Sequence, residues 1–461
     1  MAKTIKPEKV GGFLDYLPPV MIARKKMLET IEKVYQKFGF VPLDTPAIER
    51  LDVLTGNDKS FRMNLYRALI VSGLEDLGEA AKNRNDDLAL RFDLTVPLSR
   101  VVAAYPEIIK PFKRYQVGKV WRGEKAQAGR FREFVQFDAD IIGSRSMLAD
   151  TEIIQIMYEV MIALGVSSFL IRFNNRKIFE ALNEVINLSD AQKRDELIRI
   201  IDKRDKVEKE EIEKELKRKP DNKWDPAPNL STENVKKVID FISITGSVDD
   251  IIEEANLVVG NVPIGQQGIC ELKEIVNNLR MVGMPSINWC LDLSVARGLG
   301  YYTGPVFETV LTDLPEIGSV YSGGRFDGLT DRFIPGSNIP GTGASVGVDR
   351  LFAAMEKLGK IKPVSSLTKV LIAMFDHSLL LDYLTIANEL RREGIETELY
   401  LNKDSFRDQI TYAAKKEIPL VVIIGSKEKE QGKVSLRDMR LRSQETIDKS
   451  CLISKIRDSF E

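Results

Sequence analysis

Three segments of this 461-residue chain combine arginines with aromatic or acidic side chains in patterns that could do chemistry. The first, residues 297–308, places Arg297 and the pair Tyr301-Tyr302 just before a predicted strand. A guanidinium that stays protonated, followed by two aromatic hydroxyls, suits an anion and a flat polar ligand. Taken alone, the segment could equally be a glycine-rich turn before a core strand. The other two segments favour the ligand site.

The second segment, residues 112–143, alternates polar and apolar residues on both sides of a loop of small residues, which predicts an antiparallel hairpin. Charged residues crowd its tip: Arg122, Glu124, Arg130 and Arg132. One face of the return strand carries Phe134, Gln136, Asp138 and Asp140. Arginines bind phosphates and an aromatic ring stacks on a base, so this pattern suits a nucleotide.

The third segment, residues 321–355, contains a glycine-rich stretch that we predict to be a turn, Ser322–Leu329. Residues 341–352 then place small residues on a predicted strand, followed by a predicted helix that carries Arg350 near its start. Small side chains allow close backbone approach, and an arginine beside a helix N-terminus is a phosphate site.

A polar face is also predicted upstream. Residues 88–97 suggest one strand that directs Arg91, Asp93 and Thr95 to the same side. Three polar side chains in a row on an otherwise apolar strand need either water or a ligand, and a solvated face is the alternative to a binding site.

The chain has a single histidine, His377, in a predicted surface loop. This count argues against Ser-His-Asp and Cys-His catalysis and excludes every site built on several histidines. The three cysteines are scattered without a CxxC pattern, which suggests neither a disulfide framework nor a zinc cluster. Any catalysis must therefore depend on arginines, carboxylates and metal-bound phosphate.

Composition predicts an ordinary globular protein, with 43% hydrophobic and 29% charged residues and a net charge of -1. A tRNA partner would need local patches of lysine and arginine. No apolar run approaches the roughly 18 residues needed to span a bilayer. The N-terminal stretch lacks an apolar region, so we expect a cytoplasmic protein.

Four parts follow from the pattern of elements. Residues 1–183 hold a helix at 18–39 and an extended stretch interrupted by two prolines, which predicts a dimerisation edge or a peripheral strand. Residues 184–284 are rich in mixed charge at helical spacing, typical of a solvated, inserted helical domain. Residues 285–360 return to strands. Residues 367–461 alternate strands and helices, which predicts a small α/β domain.

Together these segments resemble the histidyl-tRNA synthetase family of class II aminoacyl-tRNA synthetases, over nearly the whole chain. The stretch ending at Pro46 resembles the class's first motif, WRGEKAQAGRFREFVQ the second and GASVGVDRLF the third; RGLGYYTGPVFE and SGGRFDGL resemble the histidine-specific signatures. The resemblance implies a mixed α/β fold. Its parts would be an α+β catalytic core on an antiparallel sheet, an inserted helical domain and a C-terminal α/β anticodon-binding domain.

The resemblance also implies an activity: a homodimer that activates L-histidine with ATP and Mg²⁺ and transfers it to the 3′ end of tRNA(His). The implied ATP-binding residues are Arg122, Glu124, Phe134 and Arg350. The implied histidine-binding residues are Asp93, Thr95 and Gln136 for the α-amino group and Asp140, Tyr301 and Tyr302 at the imidazole. Arg297 would approach the reacting carboxylate and α-phosphate, with Arg122 and Arg350 as further catalytic residues. Lys125 and Gln127 would meet the tRNA acceptor end.

The sequence departs from the family at three places. Gly300 stands where an acidic residue is usual, Phe326 stands where a tyrosine is usual, and residues 65–87 are longer and less regular. We expect these differences to change pocket detail rather than the reaction.

Three rival functions remain open on the sequence alone. The first is a non-catalytic relative, the regulatory subunit of ATP phosphoribosyltransferase, which lacks the anticodon domain and degrades the ATP motifs. Residues 367–461 and the intact Arg122, Glu124 and Arg350 disfavour it. The second is a class II synthetase for another amino acid, which the Tyr301-Tyr302 signature disfavours. The third is an α/β nucleic-acid-binding protein without catalysis.

Overall fold

The computed structural model describes residues 5–56, 64–69, 87–124, 131–204, 207–222, 225–296, 300–374 and 376–460. The chain divides into two compact units. The larger comprises Met1–Leu14 and Met27–Ile361, and the smaller comprises Asp15–Lys26 and Lys362–Glu461. In the described ranges, no helix is both long and apolar enough to cross a membrane.

The strands of the larger unit, in the part that the structure describes, are as follows in chain order: β1 (Val41–Pro42), β2 (Ile48–Arg50), β3 (Arg67–Ala68), β4 (Leu88–Leu90), β5 (Phe112–Trp121), β6 (Glu133–Ile142), β7 (Phe169–Asn175), β8 (Trp289–Leu291), β9 (Pro305–Leu311), β10 (Tyr321–Arg325) and β11 (Gly341–Gly347). Eight of these form one sheet in the order β1-β5-β6-β11-β10-β9-β7-β8. Its neighbours are antiparallel except β1 with β5 and β7 with β8, which are parallel. A smaller sheet has the order β2-β4-β3.

The described helices, excluding short 3₁₀ turns, are α1 (Pro18–Lys37), α2 (Leu51–Thr55), α3 (Thr95–Ala104), α4 (Met147–Ala163), α5 (Arg176–Val185), α6 (Ala191–Ile201), α7 (Lys209–Lys217), α8 (Thr232–Ile242), α9 (Val248–Val259), α10 (Pro263–Met281), α11 (Val348–Lys357), α12 (Leu380–Arg392), α13 (Phe406–Lys415), α14 (Ser426–Glu430) and α15 (Leu452–Asp458). Helices α5 to α10 lie between β7 and β8, and the predicted insertion, residues 184–284, falls in this stretch.

One face of the large sheet is covered by helices. Helix α4 buries Ile153 and Met157 and packs on β6, β7, β9, β10 and β11. From α1, Tyr35 contacts Phe137 of β6, with ring centroids 5.0 Å apart. Because side chains alternate along a strand, burying Phe137 on this face turns its neighbours Gln136 and Asp138 to the other.

The predicted strand at residues 88–97 is wrong beyond its first part. Strand β4 ends at Leu90, and α3 begins at Thr95 with Pro97 in its first turn, where a missing N–H breaks no helical hydrogen bond. Arg91 and Asp93 therefore both follow the strand and are not placed by its alternation. The Arg91 side chain is buried and donates through Nε to the Lys119 carbonyl at 2.9 Å.

The turn predicted at Ser322–Leu329 is also wrong in its first half. Residues 321–325 form β10, between β9 and β11, and its glycines let neighbouring groups approach closely. Arg325 is buried and forms an ion pair with Asp150 of α4, on the helix-covered face.

The smaller unit contains β12 (Val370–Ile372), β13 (Thr397–Leu399), β14 (Leu420–Ile423), β15 (Lys433–Asp438) and β16 (Ser443–Asp448). They form a sheet in the order β13-β12-β14-β15-β16, parallel across the first three strands and antiparallel beyond. Apolar residues of β12, β14 and α12 fill its core. His377 is exposed in the turn after β12, as its position in the sequence predicts.

Candidate active site

The register of the large sheet brings three polar residues of β6 to the face opposite α4. Gln136, Asp138 and Asp140 pair across the ladder with Gly347, Ser345 and Gly343 of β11, respectively. The absence of side chains at the two glycines of β11 leaves space in front of the β6 side chains.

Close contacts explain why glycine stands at two positions of the sheet, Gly343 of β11 and Gly324 of β10. A Cβ placed on Gly343 would lie 2.1 Å from Oδ1 of Asp140. A Cβ on Gly324 of β10 would lie 3.0 Å from the Tyr302 ring. These positions therefore form the floor on which the Asp140 carboxylate and the Tyr302 ring rest.

A cavity of about 300 Å³ lies over this floor. All six residues predicted to bind histidine line it: Asp93, Thr95, Gln136, Asp140, Tyr301 and Tyr302. The sequence prediction did not assign Asp138 or Asp202, which also line it. Asp138 lies on the predicted polar face of β6 and could have been found there. Asp202 follows α6 in the helical stretch, where no motif marks it.

The loop before α3 and the Tyr301-Tyr302 pair meet at one wall of this cavity. The Tyr301 hydroxyl donates to Asp93 Oδ2 at 3.1 Å, and the Val96 amide donates to Asp93 Oδ1 at 3.1 Å. The Tyr301 and Tyr302 rings meet edge to face with centroids 5.0 Å apart. Phe326 lies edge-on to Tyr301 at 6.2 Å.

Three carboxylates of this cavity, Asp93, Asp138 and Asp140, are buried and repel one another. Burial raises the pKa of Asp138 and of Asp140, and repulsion from the Asp140 carboxylate raises the pKa of Asp138 further. Arg114 of β5 opposes the rise in both pKa values. Its Nη2 lies 2.7 Å from Asp140 Oδ2, and its side chain has no solvent exposure. Burial likewise raises the pKa of Asp93.

A second cavity, of about 220 Å³, adjoins the first and shares Arg122, Gln136, Ser322 and Ser345 with it. All four residues predicted to bind ATP line this cavity: Arg122, Glu124, Phe134 and Arg350. The Arg122 guanidinium lies 5.1 Å from the centroid of the Phe134 ring, and its Nε donates to the Phe92 carbonyl at 3.2 Å. Arg350 Nη1 donates to the Ser319 carbonyl at 2.7 Å.

Three of the predicted functional residues, Arg297, Lys125 and Gln127, lie outside the described residues. Gly300 is described and exposed, and among the described residues no atom would lie within 4 Å of a Cβ placed there.

A family profile described as histidyl-tRNA synthetase matches residues 12–351. The histidine–tRNA ligase of Clostridium tetani is 37% identical over 450 residues, which cover 96% of each chain. This chain belongs to the histidyl-tRNA synthetase family. A second profile, described as an anticodon binding domain, matches residues 369–459.

Two solved structures resemble this chain over most of its length. The crystal structure of histidyl-tRNA synthetase from Nostoc sp. PCC 7120 matches with a TM-score of 0.83 and 32% identity, covering 99% of this chain and 100% of that one. A Bacillus halodurans C protein titled ATP phosphoribosyltransferase regulatory subunit/histidyl-tRNA synthetase matches with a TM-score of 0.71 at 22% identity, covering 90% and 97%; this likeness shows the fold alone.

These comparisons confirm the family resemblance, the fold class and the enzyme class predicted from the sequence, an aminoacyl-tRNA ligase. The regulatory-subunit alternative is less supported, since the family profile, the curated relative and the Nostoc structure all carry the synthetase description.

Proposed function

We propose that this protein is a histidine–tRNA ligase, which converts L-histidine and ATP to histidyl-adenylate and transfers the histidyl group to the 3′ end of tRNA(His). One observation carries the proposal: a cavity lined by buried carboxylates and phenols adjoins a cavity lined by arginines, and Arg122 lines both. An amino acid in the first would therefore meet a nucleotide phosphate from the second.

The α-amino group is assigned to Asp93, Thr95 and Gln136. Gln136 Nε2 donates to Ser345 Oγ at 2.9 Å, while its buried Oε1 has no hydrogen-bond partner in the described part of the chain. A buried acceptor without a partner is costly, so an ammonium group that donates to it would relieve that cost.

The imidazole is assigned to Asp140 and Tyr302. An imidazole has two ring nitrogens, and a carboxylate and a phenol at the cavity floor could pair with them. A pocket built to pair buried polar groups rejects ligands that lack them by roughly 10⁴–10⁵.

Activation begins when the substrate carboxylate attacks the α-phosphorus of ATP and pyrophosphate leaves. Negative charge builds up on the phosphoryl oxygens, so fixed guanidinium groups are the expected catalysts. Arg122 and Arg350 are assigned to the ATP phosphates, Phe134 to the adenine ring and Arg297 to the reacting centre. A carboxylate nucleophile needs no general base, which agrees with a chain that contains one histidine.

Mg²⁺ is proposed to bind together with the ATP phosphates. Mg²⁺ in such sites is held by one or two carboxylates plus phosphate oxygens, and Glu124 supplies a carboxylate at the ATP cavity. Among the described residues, no group of three or more His, Cys, Asp or Glu could hold a metal by itself. When bound, the ion would neutralise phosphate charge.

Transfer to tRNA uses the remaining parts of the chain. Lys125 and Gln127 are assigned to the acceptor end, and the anticodon to the domain at residues 369–459 that matches the anticodon-binding profile. We also propose a cytoplasmic homodimer, on the basis of family membership.

Aminoacylation of a tRNA(His) transcript with labelled histidine tests this proposal. The wild-type protein should charge the transcript, and Arg350→Ala should lower the rate on the order of 10²–10³-fold, the typical cost of one preorganised charge donor. Arg297→Ala should lower it similarly. Failure of the wild type to charge the transcript would overturn the proposal, whereas normal rates in either variant would remove that arginine from the reacting centre.

A further inference from the structure

Arg114 lies behind the cavity assigned to histidine and does not line either cavity. Its side chain is fully buried in β5, where it pairs across the ladder with Asp140. A buried arginine without carboxylate partners would be strongly destabilising. The contacts of Arg114 therefore indicate its structural role.

The guanidinium reaches three elements. Nη2 lies 2.7 Å from Asp140 Oδ2 and donates to the Leu94 carbonyl at 3.1 Å. Nη1 lies 3.4 Å from Gln116 Oε1. Leu94 stands between Asp93 and Thr95, so one side chain touches both the cavity floor and the loop assigned to the α-amino group.

Gln116 extends this contact to the chain before β2. Its Nε2 donates to Asp44 Oδ1 at 3.0 Å and to Thr45 Oγ1 at 3.0 Å. Arg114 is thus held in a connected polar network, and more than one partner orients its planar guanidinium group. A lysine could not make the same set of hydrogen bonds, because its ammonium is a single point of charge.

We propose that Arg114 is a positioning residue for histidine: its guanidinium fixes the Asp140 carboxylate under the imidazole and ties it to the Asp93–Thr95 loop through Leu94. This inference rests on the proposed function and assigns a role to a residue that never touches the substrate. The two ends of the bound histidine, the ring and the amino group, would then depend on the same buried charge.

The charges around Asp140 give the inference a distinctive signature. Several titratable and charged groups interact electrostatically with the Asp138–Asp140 pair: Asp93, Arg91, Arg114, Tyr301 and Tyr302, and from the helix-covered face Tyr35 and Tyr321. Among the described residues, Arg114 is the cation that lowers the pKa of Asp140, whereas burial and Asp93 raise it. Removing Arg114 should raise that pKa further, so Asp140 would lose its charge at a higher pH.

The test is histidine-dependent exchange of labelled pyrophosphate into ATP, measured against pH for the wild type and for Arg114→Met and Arg114→Lys. Arg114→Met should raise the KM for histidine by about 100-fold, the cost of misplacing a binding group by about 1 Å, with the KM for ATP within about twofold of wild type. The acid limb of kcat/KM for histidine should move to higher pH. Titration of free histidine is common to all variants and cancels in the comparison.

Arg114→Lys keeps a positive charge but not the planar guanidinium group. It should leave the acid limb near its wild-type position while raising the KM for histidine. This variant keeps the inference testable if Arg114→Met does not fold.

Arg100→Met is the matched control, because Arg100 forms a partly buried ion pair with Glu49 outside both cavities, at 2.8 Å. It should leave the KM for histidine unchanged. Absence of exchange in the wild type would overturn the proposed function. This inference alone would be overturned if the wild type exchanges normally and Arg114→Met keeps the same histidine KM and the same acid limb as the wild type. The same histidine KM in Arg114→Lys as in the wild type would also overturn it.

Discussion

The Asp140 carboxylate is the residue on which amino-acid selection should depend most. It lies at the cavity floor, buried, in an ion pair with Arg114 and above Gly343. Its neutral isostere would keep the shape of the pocket and lose the charge.

Asp140→Asn should therefore lower kcat/KM for histidine by about 10- to 100-fold, as expected for loss of a charged hydrogen bond. The KM for ATP should change little, because Asp140 does not line the second cavity. Steady-state pyrophosphate exchange with each substrate varied in turn measures both effects. An unchanged kcat/KM for histidine would show that the imidazole lies elsewhere.

The neighbouring Asp138 should cost the protein stability at neutral pH. Burial raises its pKa above the unfolded value, so the folded state binds more protons, and the free energy of unfolding falls as pH rises between the two pKa values. Asp138→Asn should thus be more stable than wild type at pH 8, by about 0.5–2 kcal/mol, a typical gain from relieving a costly functional group. The gain should shrink towards pH 5.

Thermal unfolding at pH 8 and pH 5.5 checks this prediction. Asp225→Asn is a control for which the stability change should have the opposite sign. The Arg218 hydrogen bond lowers the pKa of Asp225, so the charged carboxylate stabilises the fold at pH 8. The melting temperature of Asp225→Asn should fall at pH 8. A lower melting temperature for Asp138→Asn than for wild type at pH 8 would contradict the expected stabilisation.

At the residue scale, the sequence predicted side chains that belong to contiguous motifs. Every described residue assigned to histidine or ATP lines one of the two cavities. The sequence did not predict a role for Arg114. That role arises from cross-strand pairing with Asp140 and from a hydrogen bond to the Leu94 carbonyl in a distant loop. Neither contact follows from spacing along the chain.

At the scale of elements, strand β11 forms the floor of the histidine cavity because Gly343 has no side chain. Gly343→Ala would place a methyl group 2.1 Å from Asp140 Oδ1, so the carboxylate or the strand must move. Displacement of a binding group by about 1 Å can cost about 100-fold, and we expect at least that loss in histidine-dependent exchange.

Gly11→Ala serves as the control for this substitution, because no atom of the part of the chain that the structure describes would lie within 4 Å of a Cβ there. It should exchange at the wild-type rate. Circular dichroism of both variants would separate local displacement from unfolding. Wild-type exchange by folded Gly343→Ala would show that the Asp140 position does not matter.

Elements with a clear apolar period were predictable, and others were not. The hairpin of β5 and β6 alternates along its length and appears as predicted. Strand β16, Ser443–Asp448, is mostly exposed and polar, so no apolar alternation marked it. Residues 88–97 looked like one strand because Asp93 and Thr95 alternate with apolar residues, but Thr95 already begins a helix.

At the scale of the whole molecule, a net charge of -1 leaves no general attraction for tRNA. Binding must then depend on local contacts between basic side chains and phosphates, which weaken steeply with salt. Raising KCl from about 50 to about 200 mM should increase the KM for tRNA at least about tenfold. Pyrophosphate exchange, which needs no tRNA, should vary much less.

Aminoacylation and exchange assayed over the same salt series provide this comparison. Equal salt dependence of the two reactions would contradict the division between a compact catalytic site and a separate electrostatic tRNA interface. The match to the anticodon-binding profile at residues 369–459 lies within the C-terminal α/β domain predicted from the sequence at residues 367–461.

The cavity lined by Asp140 and Tyr302 is proposed to accept histidine beside ATP, and every other functional assignment depends on this. Pyrophosphate exchange into ATP by the wild-type protein, with each of the twenty amino acids supplied alone, tests it most directly. We expect exchange with histidine and none above background with the others. No exchange with histidine, or equal exchange with another amino acid, would contradict it.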